Sequence, residues 1–148
     1  TVRPRRARVR SSRDRVVNGD RAAESVGSGS TTARLAISTA PSEEVATRLA
    51  RSLVERGFCA CVSVLPNVRS FYRWQGAIEE AHEWLLLMKT EAREVDRLRD
   101  ALLAEHPYDV PEFLVLDVAS GSAGYLAWLS SSCAGGAAVS ISGEAKDA

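Results

Sequence analysis

The strongest constraint on this fold is a pair of long extended runs joined by a short Gly-containing turn. Residues 60–74 (ACVSVLPNVRSFYRW) and 78–90 (IEEAHEWLLLMKT) flank Gln75-Gly76, and a short Gly-containing link between β-prone runs is a hairpin signal. Pro66-Asn67 falls inside the first run, so a bulge or bend is expected there, with the proline away from a ladder donor. The second run ends in Trp84-Leu85-Leu86-Leu87-Met88, apolar on both faces of a strand. Such a strand belongs at the centre of a sheet, covered on both sides. The hairpin tip, carrying Arg73, Glu79, Glu80, His82 and Glu83, would project beyond a small domain. These acids read as a solvated face or as pairing between subunits.

The remaining elements fall around this hairpin. Residues 33–39 (ARLAIST) alternate as a short strand. Ser42 is a good N-cap, and Glu43 and Glu44 sit at the positive end of the helix dipole. Val45, Ala46, Leu49, Ala50, Leu53 and Val54 then recur at helical spacing, with Gly57 as the stop. Thr90 is expected to cap a second helix, with Glu91 and Glu94 in its first turn. Val95, Leu98, Leu102 and Leu103 supply its buried stripe, and His106-Pro107 ends it. Residues 113–118 (FLVLDV) make a fourth strand. Residues 125–129 (YLAWL) make a short last helix, capped by Ser120 or Ser122. The order β-α-β-β-α-β plus one helix is the split-βαβ, ferredoxin-like α+β arrangement. It puts two helices on one face of a four-stranded sheet and leaves the other face bare. A bare face built partly from an apolar strand is an aggregation hazard, so the chain is expected to pack its sheet against other copies of itself.

Formal net charge is zero across 148 residues, but it is unevenly spread. Residues 1–32 hold eight arginines against Asp14, Asp20 and Glu24, and the rest of the chain carries the compensating acidic excess. A basic arm (1–32), a folded body (33–132) and a Ser/Ala/Gly-rich tail (133–148) are therefore expected. The arm reads as an unstructured tail, an organellar transit peptide or a nucleic-acid arm. No aromatics interleave with its arginines, which argues against nucleic acid. A cytoplasmic protein is expected, or an organellar one if the arm is a transit peptide. Three cysteines, Cys59, Cys61 and Cys133, form neither a disulfide framework nor a zinc pattern. No apolar run reaches the roughly 18–20 residues of a membrane span. G-x-S-x-G, P-loop and H-E-x-x-H motifs are absent, so no enzyme is expected.

Six segments in order carry a family resemblance: Thr39-Ala40-Pro41-Ser42-Glu43-Glu44, Ala60-Cys61-Val62, Tyr72-Arg73-Trp74-Gln75-Gly76, Leu86-Leu87-Met88-Lys89-Thr90, His106-Pro107-Tyr108-Asp109-Val110-Pro111-Glu112 and Tyr125-Leu126-Ala127-Trp128-Leu129. Together they closely resemble the CutA family, the divalent-cation-tolerance proteins, over roughly residues 33–130. The resemblance implies a ferredoxin-like fold, a homotrimer whose sheets pack together, and a link to copper and other divalent cations. It implies no defined activity.

In some bacterial relatives a cysteine before the T-A-P turn is proposed as a metal ligand with the histidine and glutamate of the H-P-Y…P-E stretch. Here those positions are Ser38, His106 and Glu112. Imidazole and carboxylate suit a borderline divalent cation, and serine is a poor substitute for a thiolate. His106 alternatively closes a helix as a C-cap, or does acid–base work. Glu112 alternatively pairs with an arginine or with Lys89, a cation at the end of an apolar strand that needs a carboxylate partner. Trp74, Lys89 and Tyr108 are candidates for a pocket between subunits, or for interface packing. Cys61 reads as buried packing, and no role is assigned to Cys59. A second reading is a trimeric signalling module resembling the PII proteins, which binds a small molecule between subunits. A nucleotide is disfavoured there because no Gly/Lys phosphate cradle is evident. A third is a scaffold for a partner protein at the hairpin tips.

Overall fold

The computed structural model describes residues 30–133. The expectations for most of the basic arm and for the tail therefore lie outside the described residues. In chain order the elements are β1 (Ala33–Ala40), α1 (Glu43–Glu55), β2 (Cys61–Trp74), β3 (Ala77–Glu91), a 3-10 turn (Ala92–Glu94), α2 (Val95–Glu105), β4 (Leu114–Asp117) and α3 (Ala123–Ser132). The strands form one sheet in the order β2-β3-β1-β4, all neighbours antiparallel. This is the split-βαβ order, with the doubly apolar β3 in the interior of the sheet.

Local chemistry sets the element ends. The Ser42 hydroxyl accepts the Val45 N–H at 3.2 Å and caps α1. Gly57, at φ +73°, lets Gly57 N–H reach Val54 O and Phe58 N–H reach Leu53 O, a Schellman closure. Gln75 and Gly76 both adopt positive φ, so Trp74 pairs directly with Ala77 across a tight turn whose twist suits a hairpin. The register of β2 on β3 shifts between Leu65 and Val68, where Asn67 takes φ +62°, a left-handed conformation that asparagine tolerates better than most residues.

Two elements differ from expectation. Thr90 does not cap α2. It is buried at the end of β3, and its hydroxyl donates to Phe58 O at 2.7 Å. A 3-10 turn intervenes, and α2 starts only at Val95 without a side-chain cap. Glu91 and Glu94 are consequently turned inward and nearly fully buried, with the guanidiniums of Arg93 and Arg97 each 3.9 Å away. Strand pairing with Ala33 extends β3 further than helix-start signals alone suggest. The fourth strand is also shorter, because only Leu114–Asp117 find partners on β1.

The main core lies between the sheet and the helices α1 and α2. It is built from Ala36, Ala40, Leu86 and Met88 of the strands against Ala46, Leu49, Leu53, Leu98, Ala101 and Leu102 of the helices. The helices are also tied by Glu105, whose carboxylate accepts from Ser52 and Arg56, each at 2.9 Å. A smaller cluster sets Leu129 and Cys133 of the last segment on Ala33 and Ala60. Arg93 donates to Ser130 O at 2.8 Å and fastens the end of α3 to the body.

On the opposite face, cross-strand register aligns Cys61, Lys89, Leu35 and Leu116 in one row. A second row holds Ser63, Leu87, Ile37 and Leu114. Leu114 and Leu116 are 55% and 46% exposed, so this face is uncovered in the single chain. Within the single chain α1 and α2 cover one side of β3, and α3 reaches the other side only near Ala33.

Candidate functional site

The stretch from His106 to Glu112 leaves α2 and runs along one wall of a cleft of about 800 Å³. Hairpin residues Ser70, Phe71, Tyr72, Trp74 and Glu83 form the opposite wall, and Thr39 sits at the base. Pro107 and Pro111 stiffen the first wall.

His106 closes α2 through its backbone, with His106 N–H bonded to Leu102 O at 2.9 Å. Its ring is committed within the fold. Nδ1 accepts the Tyr108 N–H at 3.1 Å, and Nε2 lies 2.7 Å from Thr39 O. A lone pair in use at Nδ1 leaves the proton on Nε2, which donates to the carbonyl; the ring is the neutral tautomer with both nitrogens occupied. His106 therefore ties the end of β1 to the start of the 106–112 wall, and its ring packs on Tyr108 at 4.8 Å between centroids.

Tyr108 carries this order into the cleft. Its hydroxyl donates to Glu83 Oε2 at 3.0 Å. Burial, followed by the bond to Glu83, pushes the phenol up to about 12, so it stays a donor at neutral pH. Glu83 is only 6% exposed. Glu112 lines the same cleft, and burial together with the Glu83 charge raises its pKa above the ordinary 4.5. Two carboxylates thus share one concave site. Asp109 adds a third acid, and no lysine, arginine or histidine is among the lining residues.

The residues singled out by the sequence divide between this cleft and other places. Glu112, Tyr108 and Trp74 line it, and His106 braces it from behind. Ser38 is fully buried among helix-side residues, and its hydroxyl approaches only Thr39 O, at 3.5 Å. Lys89 lies on the uncovered sheet face. Its ammonium is 3.6 Å from Cys61 Sγ and hydrogen-bonds the Ser63 hydroxyl, so polar neutral groups take the place of the expected carboxylate. Cys59 is buried, and desolvation raises its thiol to about 12, which leaves it neutral and unreactive at neutral pH. Among the described residues, no group of three or more His, Cys, Asp and Glu side chains is placed to hold a metal. Nor is any described helix long and apolar enough to cross a membrane.

Glu83 was hidden in the acidic run Glu79-Glu80…Glu83. The signal was alternation: Glu83 shares its parity with Leu85, Leu87 and Lys89, which puts it on the side away from the helices. Glu80 of the same run instead meets solvent and pairs with Arg69 at 2.7 Å.

Residues 34–132 match the model of the family described as CutA1 divalent ion tolerance protein. This chain belongs to that family. The divalent-cation tolerance protein CutA of Thermus thermophilus is 47% identical over 91 residues, which are 62% of this chain and 88% of the relative. A chloroplastic CutA protein of Arabidopsis thaliana is 38% identical over 94 residues, 64% of this chain and 52% of the relative. The crystal structure of CutA from Xylella fastidiosa superposes with a TM-score of 0.69 at 39% identity, covering 70% of this chain and 99% of that one. The relatives are named for divalent-cation tolerance, and the family match covers the three structural units that build the cleft: the end of β1, the hairpin and the 106–112 wall.

Proposed function

We propose that this chain is a non-catalytic, cation-binding member of its family that works as a homotrimer in the response to metal ions, with a divalent cation, copper first, as its ligand. The observation that carries this reading is the cleft itself. Two carboxylates, Glu83 and Glu112, face one space lined by no basic side chain, and burial followed by the Glu83 charge raises the cost of ionising Glu112. A cation between them relieves that cost. Glu112 keeps the ligand role suggested by its motif, and Glu83 joins it. Ser38 lies in the core, and His106, with both ring nitrogens in use, braces the site rather than donating a lone pair. The trimer is supported by the uncovered rows of Leu35, Leu87, Leu114 and Leu116, which need a partner surface. Calorimetric titration of the assembled protein with Cu²⁺ and Zn²⁺ tests the reading. Glu83→Gln and Glu112→Gln are each expected to weaken binding about tenfold or more, the size of one lost charge-assisted contact. Wild-type binding no tighter than that of an exposed histidine contradicts it.

The second reading, a PII-like trimer that binds a small molecule, is favoured by the size and walls of the cleft. A space of about 800 Å³ walled by Phe71, Tyr72, Trp74 and Tyr108 falls in the range of small-molecule pockets and exceeds what a metal ion needs. As for location, the arginine-rich residues 1–32 suit either a cytoplasmic protein or an organellar one. Imaging of a fluorescent fusion with and without them decides between the two.

A further inference from the structure

We propose that Cys59 and Cys133 form a reversible disulfide that fastens the end of α3 to the start of β2. The pair stands at the far end of β3 from the cleft, and it adds a redox site that the cation reading does not use.

The fold brings the two thiols to one place from distant parts of the chain. Cys59 lies between two backbone anchors. Phe58 O accepts the Thr90 hydroxyl at 2.7 Å, and Ala60 N–H donates to Lys89 O at 2.9 Å, so residues 58–60 are held beside the end of β3. Cys133 reaches the same spot from α3. It packs on Ala60 in the cluster with Leu129, and its sulfur is hydrogen-bonded by the Thr90 side chain and the Glu91 backbone. Both cysteines are buried and both thiols are free. After burial, the group that most disfavours a Cys59 thiolate is Cys133, ahead of Cys61. Cys61 itself is turned to the uncovered face, where the Lys89 ammonium lies 3.6 Å from its sulfur.

The two thiols are unequal. Burial raises both, but at Cys133 the bonds from Thr90 and the Glu91 backbone, and the charge of Arg93, act the other way against the Glu91 carboxylate. Cys133 is therefore the better nucleophile. Its thiolate attacks a low-molecular-weight disulfide such as glutathione disulfide. An S–S bond to Cys133 forms, the S–S bond of the oxidant breaks, and one glutathione leaves with the proton that Cys133 gave up. The Cys59 thiolate then displaces the second glutathione, which takes the Cys59 proton. Two protein thiols are oxidised and one glutathione disulfide is reduced to two thiols. Cys59 attacks only a sulfur held beside it, so a thiol inert to bulk reagents still reacts. The bridge closes a long loop, the case in which a cross-link restricts the unfolded chain most. It also secures α3, which otherwise rests on the Leu129 cluster and the Arg93 bond to Ser130 O.

The test equilibrates the full-length protein with glutathione and glutathione disulfide at graded ratios, quenches with acid, alkylates and digests without reduction. Tandem mass spectrometry, fragmenting between Cys59 and Cys61, locates any link. An intrachain Cys59–Cys133 link is expected, its fraction rising with the oxidised share of the buffer, while Cys61 is alkylated. The oxidised wild type should melt about 5 °C or more above the reduced form, a gap that Cys133→Ser removes. The mapping is done on the wild type and does not depend on a variant folding. Three alkylated cysteines or glutathione adducts alone at every ratio, a link through Cys61, or a link between chains overturns the proposal. A Cys59–Cys133 link without the melting gap overturns the fastening of α3.

Discussion

The two faces of the sheet share strands but not fates. On the helix side, Ala36, Leu86 and Met88 are fully buried against α1 and α2. One residue away along the same strands, Ile37, Leu87 and Leu35 look out on the other side with only part of their surface covered. Alternation along a strand delivers apolar residues to both faces, but two helices can cover only one. The covered face makes the domain fold. The uncovered face and the cleft at its end are where the domain has interactions left to make.

Substitutions one position apart can break or sharpen this contrast. The largest effect is expected from Leu87→Asp, which puts a charge in the middle of the uncovered face. Self-association should be lost while far-ultraviolet circular dichroism keeps its helix and sheet content. Unfolding of the chain instead would mean that this face is core. Its neighbour Leu86→Ala removes a fully buried side chain from the other face and should cost about 2–5 kcal/mol in denaturant unfolding. A loss below about 1 kcal/mol would say that the helix side is loosely packed. Ser42→Ala deletes the cap of α1 and should cost about 1 kcal/mol, a local effect on the covered side with no change in assembly.

The smallest effect concerns the cleft and its sign is opposite to that of an ordinary paired acid. The pKa of Glu112 is higher folded than unfolded, by burial first and Glu83 second. Its contribution to stability is fully present below about pH 4.5 and is lost as pH rises through the folded value. Glu112→Gln should therefore flatten the fall in melting temperature over that window. A steeper fall in the variant would mean that Glu112 is stabilised by a partner.

The sequence made the topology legible because its punctuation is strong. Ser42 and Gly57 bound α1, Gln75-Gly76 fixes the hairpin, and Pro66-Asn67 marks the bulge. The start of α2 was not legible. Thr90 has the chemistry of a cap, and only pairing of Glu91 with Ala33, almost sixty residues earlier in the chain, shows that β3 continues past it. At the candidate site, His106, Tyr108 and Glu112 stand out because two prolines isolate them. What the sequence could not show is which polar atoms are already in use. Both nitrogens of His106 are spent inside the fold, Ser38 faces the core, and Lys89 meets Cys61 and Ser63. Glu83 was obscured by acids that resemble it in sequence and differ only in which way the strand turns them.

The contrast between the faces is tested most directly by the mass of the protein in solution. Light scattering on the chromatographed wild-type chain at micromolar concentration should give three times the 16.0 kDa chain mass, with Leu87→Asp eluting as a folded single chain. A wild-type protein that stays folded and monomeric at that concentration would contradict the account, because the uncovered apolar rows would then need no partner.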